Sequence, residues 1–280
     1  MKCNYHTHST YCDGKEPMEK FAAKAEELSF IHLGFSSHAP VDFRNDFAIK
    51  EEQLPAYIAE IEEIQKKYPK ISFFKALECD FIPEISTPFA YFKEKYQLHY
   101  IIGGVHLVGK ATMSDLWFID GSKQKVYDDG LEKLYNNNIR KAVTDFWEQT
   151  FEMIETEKFD IVAHLDKIKM HNQDRFFKED EKWYRQLAQH AIELIKKFNL
   201  IIEINSRGLY KGRCNAFYPA AFIVAEAAKK DIPFIISSDA HLSSELNLYY
   251  PEAVQYLIDN GVQELVYLQD NQWKSYSIFS

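Results

Sequence analysis

His6 and His8 stand one residue apart in the stretch KCNYHTHSTYCDG at the start of the chain. On an extended strand alternate side chains share a face, so the two imidazoles fall on one side, within reach of one metal ion. The same pair also suits a polar strand end making ordinary hydrogen bonds, and only further donors converging on it separate the two readings. Asp13, five residues after His8, can reach back from its turn; the competing use of its carboxylate is an Asx-turn with Gly14.

The segments that must position such donors alternate in pattern. Helical spacing of apolar residues runs over 16–30, 51–68, 88–96, 139–158, 181–198, 219–230 and 251–260. Short strand-like runs lie between them, at 31–38, 71–78, 98–106, 159–164, 200–205, 232–241 and 262–268. This alternation implies parallel strands joined by crossover helices, and about seven or eight such units favour closure into a barrel. In a parallel barrel the C-terminal strand ends form one face, where active sites are built.

Those ends carry His6 and His8, His38, Glu78, His106, His164, and Asp239 with His241. Chance does not easily place a histidine or carboxylate at the same end of six strands. With Asp13 there are nine oxygen and nitrogen donors, more than one ion takes, so the pattern fits two to three divalent transition-metal ions, Zn, Mn or Fe. Their charge turns the pocket cationic and suits it to a phosphate ester. His32, His99, His171 and His190 fall elsewhere and read as packed or solvated imidazoles. The segment from Leu107 to Gly130 has no clear period, and loops of that length often cover a site.

Composition agrees with one domain over 1–280: a barrel of about 250 residues is commonly a single unit, and 46% of the residues are hydrophobic. A net charge of −9 argues against non-specific binding to nucleic acid. No apolar run approaches the roughly 18 to 20 residues of a membrane span. Cys3, Cys12, Cys79 and Cys214 form no CxxC pair, which suits reduced thiols and a cytoplasmic location, with Cys3 and Cys79 as small buried residues.

Taken in order, YHTHS, SSH, LECD, GGVH, VAHLD and SSDAH resemble the motif set of the polymerase and histidinol phosphatase (PHP) superfamily, over essentially the whole chain. One small departure is Ala163, where a glycine is more usual before the fifth-motif histidine. The stretches FDIVAHLDKIKMHN and WFIDG are similar to the histidinol-phosphatase branch. The resemblance implies a distorted (β/α)7 TIM-like barrel with a trinuclear centre. His6, His8, Glu78 and Asp239 would hold one ion; Glu78, bridging, with His106 and His164 a second; Asp13, His38 and His241 the third.

It further implies a phosphomonoesterase that hydrolyses L-histidinol phosphate by direct attack of an activated water, with no phosphoenzyme. Asp239 and His241 are the candidates for proton delivery to the leaving oxygen. The rival readings are a PHP phosphoesterase acting on nucleotides or oligonucleotides, and a protein-tyrosine phosphatase. Arg207, Lys211 and Arg213 lie in one loop after a strand end, and any of the three could pair with phosphate oxygens, with Lys167 and Arg44 as the next candidates. Asp115, Trp117 and Asp120 are the candidates for reading the ammonium and imidazole of the substrate.

Overall fold

The computed structural model describes residues 1–110 and 112–279. Its strands are β1 (Cys3–Asn4), β2 (His32–Phe35), β3 (Ser72–Asp80), β4 (Tyr100–Gly104), β5 (Leu107–Val108), β6 (Trp117–Phe118), β7 (Ile161–Val162), β8 (Ile201–Asn205), β9 (Phe234–Ser237), β10 (Glu264–Gln269) and β11 (Gln272–Ser277). Its helices are α1 (Met18–Glu27), α2 (Leu54–Lys67), α3 (Phe89–Lys95), α4 (Gln124–Tyr135), α5 (Ile139–Thr156), α6 (Lys182–Lys197), α7 (Arg207–Tyr210), α8 (Ala221–Ala228) and α9 (Tyr250–Asp259).

Seven strands pair in parallel in the order β1-β2-β3-β4-β7-β8-β9. A parallel bridge between Thr7 and Ala240, with the His8 amide donating to the Ala240 carbonyl at 2.8 Å, joins the first strand segment to the last. The result is a nearly closed (β/α)7 barrel, the α/β architecture expected.

Strand alternation explains how an apolar barrel ends in a polar site. On β3, Phe73, Leu77 and Cys79 join the core shared with the helices, whereas Phe74 and Ala76 join the barrel interior. Glu78 and Asp80 continue that inward row at the strand's C-terminal end. On β8, Ile202 and Ile204 face the helices, and Ile201, Glu203 and Asn205 follow the inward row. Gly34 on β2 is required by close approach: a Cβ there would lie 1.7 Å from the Tyr100 hydroxyl oxygen.

Helix α5 shows why the outer layer forms. Asn138 caps its first turn by accepting from the Lys141 amide at 3.1 Å, and Ala142, Val143, Phe146, Trp147, Thr150, Met153 and Ile154 bury one face.

Two expectations change. The 262–268 run is not a further barrel strand. Asp270 and Asn271, both with positive φ, reverse the chain at once, making β10–β11 an antiparallel hairpin. It packs on the interior row at the end of the barrel opposite the strand C-termini: the Leu268 amide donates to the Tyr5 hydroxyl at 2.9 Å, and Trp273 packs edge-on against Tyr5 and Tyr100. The 107–130 segment is not without structure, since it contains the β5–β6 hairpin and the start of α4.

Candidate metal centre

All nine donors named from the sequence meet at the C-terminal mouth of the barrel. Glu78 stands between them, its two oxygens facing different partners. Oε2 lies 3.1 Å from Nε2 of His6, 3.3 Å from Nε2 of His8 and 3.2 Å from Nδ1 of His38. Oε1 lies 3.0 Å from Nε2 of His164 and 3.4 Å from Nε2 of His106. Asp239 Oδ1 is 3.4 Å from Nε2 of His8, and Asp13 Oδ1 is 3.0 Å from Nε2 of His241. Four overlapping groups have donor atoms within 4.8 Å of one another: His8, Asp13, His38 and His241; His6, His8 and Asp239; His38, Asp80 and His106; Glu78, His106 and His164.

Local breaks in alternation bring these side chains inward. Strand β1 ends at Asn4, whose Oδ1 accepts from the His6 amide at 3.1 Å, so the row changes phase between Tyr5 and His6. His164 and Asp239 both have positive φ, at 25° and 52°, where β7 and β9 run out. Non-glycine residues held there cost conformational energy, and such strain gathers at functional sites.

Three carboxylates that sequence reasoning missed support this centre. Glu203 Oε1 accepts from Nδ1 of His6 at 2.6 Å, and its Oε2 accepts from the His164 amide at 2.9 Å. Asp80 Oδ1 accepts from Nδ1 of His106, leaving Nε2 of that ring aimed at Glu78. Glu245 accepts from the His241 and Leu242 amides at 2.8 and 3.1 Å and pairs with Lys211. A carboxylate on the far nitrogen of a ligating histidine fixes its tautomer and raises its basicity.

The donor set fits metal on the protein's own terms. Nε2 of His6, Nε2 of His8, Oδ1 of Asp13 and Nδ1 of His38 are buried without a hydrogen-bond partner. A buried polar atom left unpaired costs about 1–3 kcal/mol, and four aimed at one small volume are nitrogen and oxygen atoms that a bound cation would satisfy.

Residues 4–207 match the PHP domain family. The chain belongs to that family. Among curated relatives it is 28% identical over 267 residues to a Deinococcus radiodurans protein named "Probable histidinol-phosphatase", covering 92% of this chain and 94% of the other. It is 23% identical over 277 residues to the histidinol-phosphatase of Bacillus subtilis, covering 89% and 97%. The fold superposes with a TM-score of 0.79 on a Listeria monocytogenes candidate histidinol phosphatase, at 22% identity over 90% of this chain and 99% of the other. A Lactococcus lactis histidinol phosphate phosphatase, solved with zinc, L-histidinol and phosphate, gives 0.69 at 17% identity over 98% of both chains.

In this PHP site burial and neighbouring charges bias Asp239 and His241 toward their deprotonated forms. Burial opposes charge on Asp239, but Arg207 and His6 outweigh it and hold the carboxyl well below its usual range. Burial and the charge of His8 push His241 down to about 4, so at neutral pH it offers a lone pair. His6 is the reverse case: burial disfavours its charge, yet Glu78, Glu203 and Asp239 lift it to about 10.

The centre opens into a cavity of about 430 Å³ whose lining includes Lys15, Lys167, Arg207, Lys211 and Arg213. Arg207 is fixed, its NH1 donating to the Asp239 carbonyl at 2.7 Å. Arg44 lies in an exposed loop that lines a different surface pocket. Trp117 has no accessible surface, and its indole N–H donates to the Tyr127 carbonyl at 2.9 Å, which removes it as a substrate contact. Asp115 is exposed and bonded within its own turn, away from the cavity lining, so it too is corrected. Asp120 does line the cavity.

The four remaining histidines lie away from the centre, His32 and His171 buried, His99 half-buried and His190 exposed. His32 bonds the Tyr5 hydroxyl, His99 accepts from the Lys75 amide, His171 donates to the Gly121 carbonyl, and His190 stacks edge-on with Phe151.

Proposed function

We propose that this chain is a metal-dependent phosphomonoesterase that hydrolyses L-histidinol phosphate to L-histidinol and phosphate, with residues 1–280 acting as one phosphoesterase unit. The observation that carries the reading is Glu78, each of whose oxygens faces a separate set of imidazoles beneath a cavity rimmed by five cationic side chains. The relatives named histidinol-phosphatase, aligned over most of the chain, and the Lactococcus protein's bound zinc, histidinol and phosphate support the choice of substrate.

In this reading His6, His8, Glu78 and Asp239 hold one ion, Glu78 with His106 and His164 a second, and Asp13, His38 and His241 a third. Divalent ions held there would polarise the phosphoryl group and lower the pKa of an attacking water. The chain's own work is orientation. Glu203 and Asp80 lock His6 and His106 by their Nδ1 atoms, while Glu245 braces the turn that carries His241. Arg207, Lys211, Arg213 and Lys167 present donors to the phosphate from the rim, as charge-assisted hydrogen bonds. Four free cysteines support a reducing, cytosolic setting, and no described helix is long and apolar enough to cross a membrane.

The test is phosphate release from a panel of histidinol phosphate, a nucleoside monophosphate, a dinucleotide and phosphotyrosine. A catalytic efficiency for histidinol phosphate at least about a hundredfold above the others is expected, because a site built to bond a polar group rejects analogues lacking it. Equal efficiencies, or preference for the dinucleotide or phosphotyrosine, would overturn the assignment.

A further inference from the structure

Lys167 and Asp120 form an ion pair on the cavity wall, Nζ to Oδ2 at 2.9 Å, with side chains only 7% and 18% exposed. The pair lies beside the centre, since Asp120 Oδ2 is also 3.9 Å from Nε2 of His106. It differs from the pairing of Lys211 on the same cavity lining. There Glu245, the partner of Lys211, is anchored by two backbone amides and keeps those bonds whatever Lys211 does. Among the described residues Asp120 has no such anchor: besides His106, its one ion-pair partner is Lys167.

A phosphate group entering beside Lys167 competes with Asp120 for the ammonium. A dianion with three acceptor oxygens wins that competition, and the Asp120 carboxylate is left largely buried without its cation. Leaving one member of a buried pair uncompensated is strongly unfavourable. The loss is avoided only if the incoming molecule brings a cation of its own, placed close to its phosphate.

We propose that the Lys167–Asp120 pair selects its substrate by ion exchange: Lys167 passes to the phosphate, and Asp120 takes the ammonium of a phosphomonoester of a 2-amino alcohol. The inference rests on the histidinol-phosphate reading and deepens it. In that substrate the ammonium sits two carbons from the ester oxygen, so both new pairs form within one small region. The chemical class selected is the vicinal amino phosphate, with the imidazole as a separate requirement. A phosphate ester without the amine is penalised by the orphaned carboxylate, which acts as a repulsive element against the wrong ligand.

The experiment compares L-histidinol phosphate with its deamino analogue, 3-(imidazol-4-yl)propyl phosphate, in wild type, Asp120→Asn and Lys167→Met, at matched metal content and circular dichroism. Wild type should favour the aminated ester by about ten- to a hundredfold in kcat/KM, the range expected of a charge-assisted contact. Asp120→Asn should remove most of that ratio. Lys167→Met should lower kcat/KM for both esters, with the larger change in KM. Calorimetry of L-histidinol binding in the presence of phosphate gives a readout independent of turnover, and Asp120→Asn should weaken it by the same factor. A wild-type ratio near one, or a ratio unchanged in a folded, metal-loaded Asp120→Asn protein, would overturn the ion exchange while leaving the phosphatase reading standing. Failure of the wild type to hydrolyse either ester would overturn both.

Discussion

Nδ1 of His6 and Oε1 of Glu203 lie 2.6 Å apart, and neither side chain has any accessible surface. With that nitrogen committed as donor, Nε2 of His6 is left facing Glu78 and Asp239. Glu203→Gln keeps the shape but weakens the bond that sets the tautomer, and it should lower metal affinity by about 10- to 100-fold. Competition with a calibrated chelator measures this. An unchanged affinity would mean that His6 is oriented by packing alone.

Glu78→Gln should be more damaging than Asp13→Asn. Each oxygen of Glu78 lies within 3.4 Å of at least two imidazole nitrogens. Asp13 sits at the half-buried rim and contacts mainly His241. Specific activity at equal metal content orders the two variants, and a greater loss from Asp13→Asn would contradict the bridging assignment.

How much of this was legible beforehand depended on where a residue stood in its strand. The donors at 6, 8, 38, 106, 164, 239 and 241, which the fold brings together, stand out in the sequence because each falls at the C-terminal end of a strand-like run. Asp80 was missed because the run appeared to end at Glu78; β3 continues for two more residues, which places Asp80 on the same inward face. Glu203 was missed for a different reason. It lies inside LIIEIN, where a single carboxylate shows no period of its own, and only closure of the barrel brings it to His6. Trp117 misled because an aromatic in an aperiodic segment suggests an exposed loop, whereas the β5–β6 hairpin and α4 bury it against Tyr127 and Tyr135. The terminal hairpin was half visible, as one strand without the turn that reverses it.

Metal binding should release protons. Burial opposes charge on His6, His8 and His106, but neighbouring carboxylates and, for His8, Cys12 raise all three, His6 to about 10. Charge on these rings is thus favoured in the metal-free protein, and an incoming cation competes with their protons. Affinity should rise with pH across the range below about 10. The stability conferred by charged His6 in the metal-free form is complete below its ordinary value of 6.5 and is lost as pH rises through about 10. Calorimetry in buffers of different ionisation enthalpy should show more than one proton released per chain at pH 7, and zero release would contradict this electrostatic picture.

Arg207→Ala should lower kcat/KM by about ten- to a hundredfold, the effect of one charge-assisted contact. Arg207→Lys should recover little, because a lysine cannot both hold the Asp239 carbonyl and present a fork to phosphate. Steady-state kinetics on both variants decides, and silent mutants would move phosphate recognition to Lys211, Arg213 or Lys167.

Gly34→Ala tests the barrel rather than the site. The added methyl would collide with the Tyr100 ring and approach the Tyr5 backbone to 3.1 Å. Overpacking of this kind costs about 1–3 kcal/mol, so the denaturation midpoint should fall; an unchanged midpoint would show that the Tyr100 ring can move aside.

The central claim is that these strand ends form a multinuclear metal centre on which activity depends. Elemental analysis of purified, active protein, paired with the rate of phosphate release from L-histidinol phosphate before and after chelation, tests it most directly. Two to three transition-metal ions per chain, activity lost with the metal and regained on its return, is the result predicted. Full activity in a sample holding less than one ion per chain would contradict it.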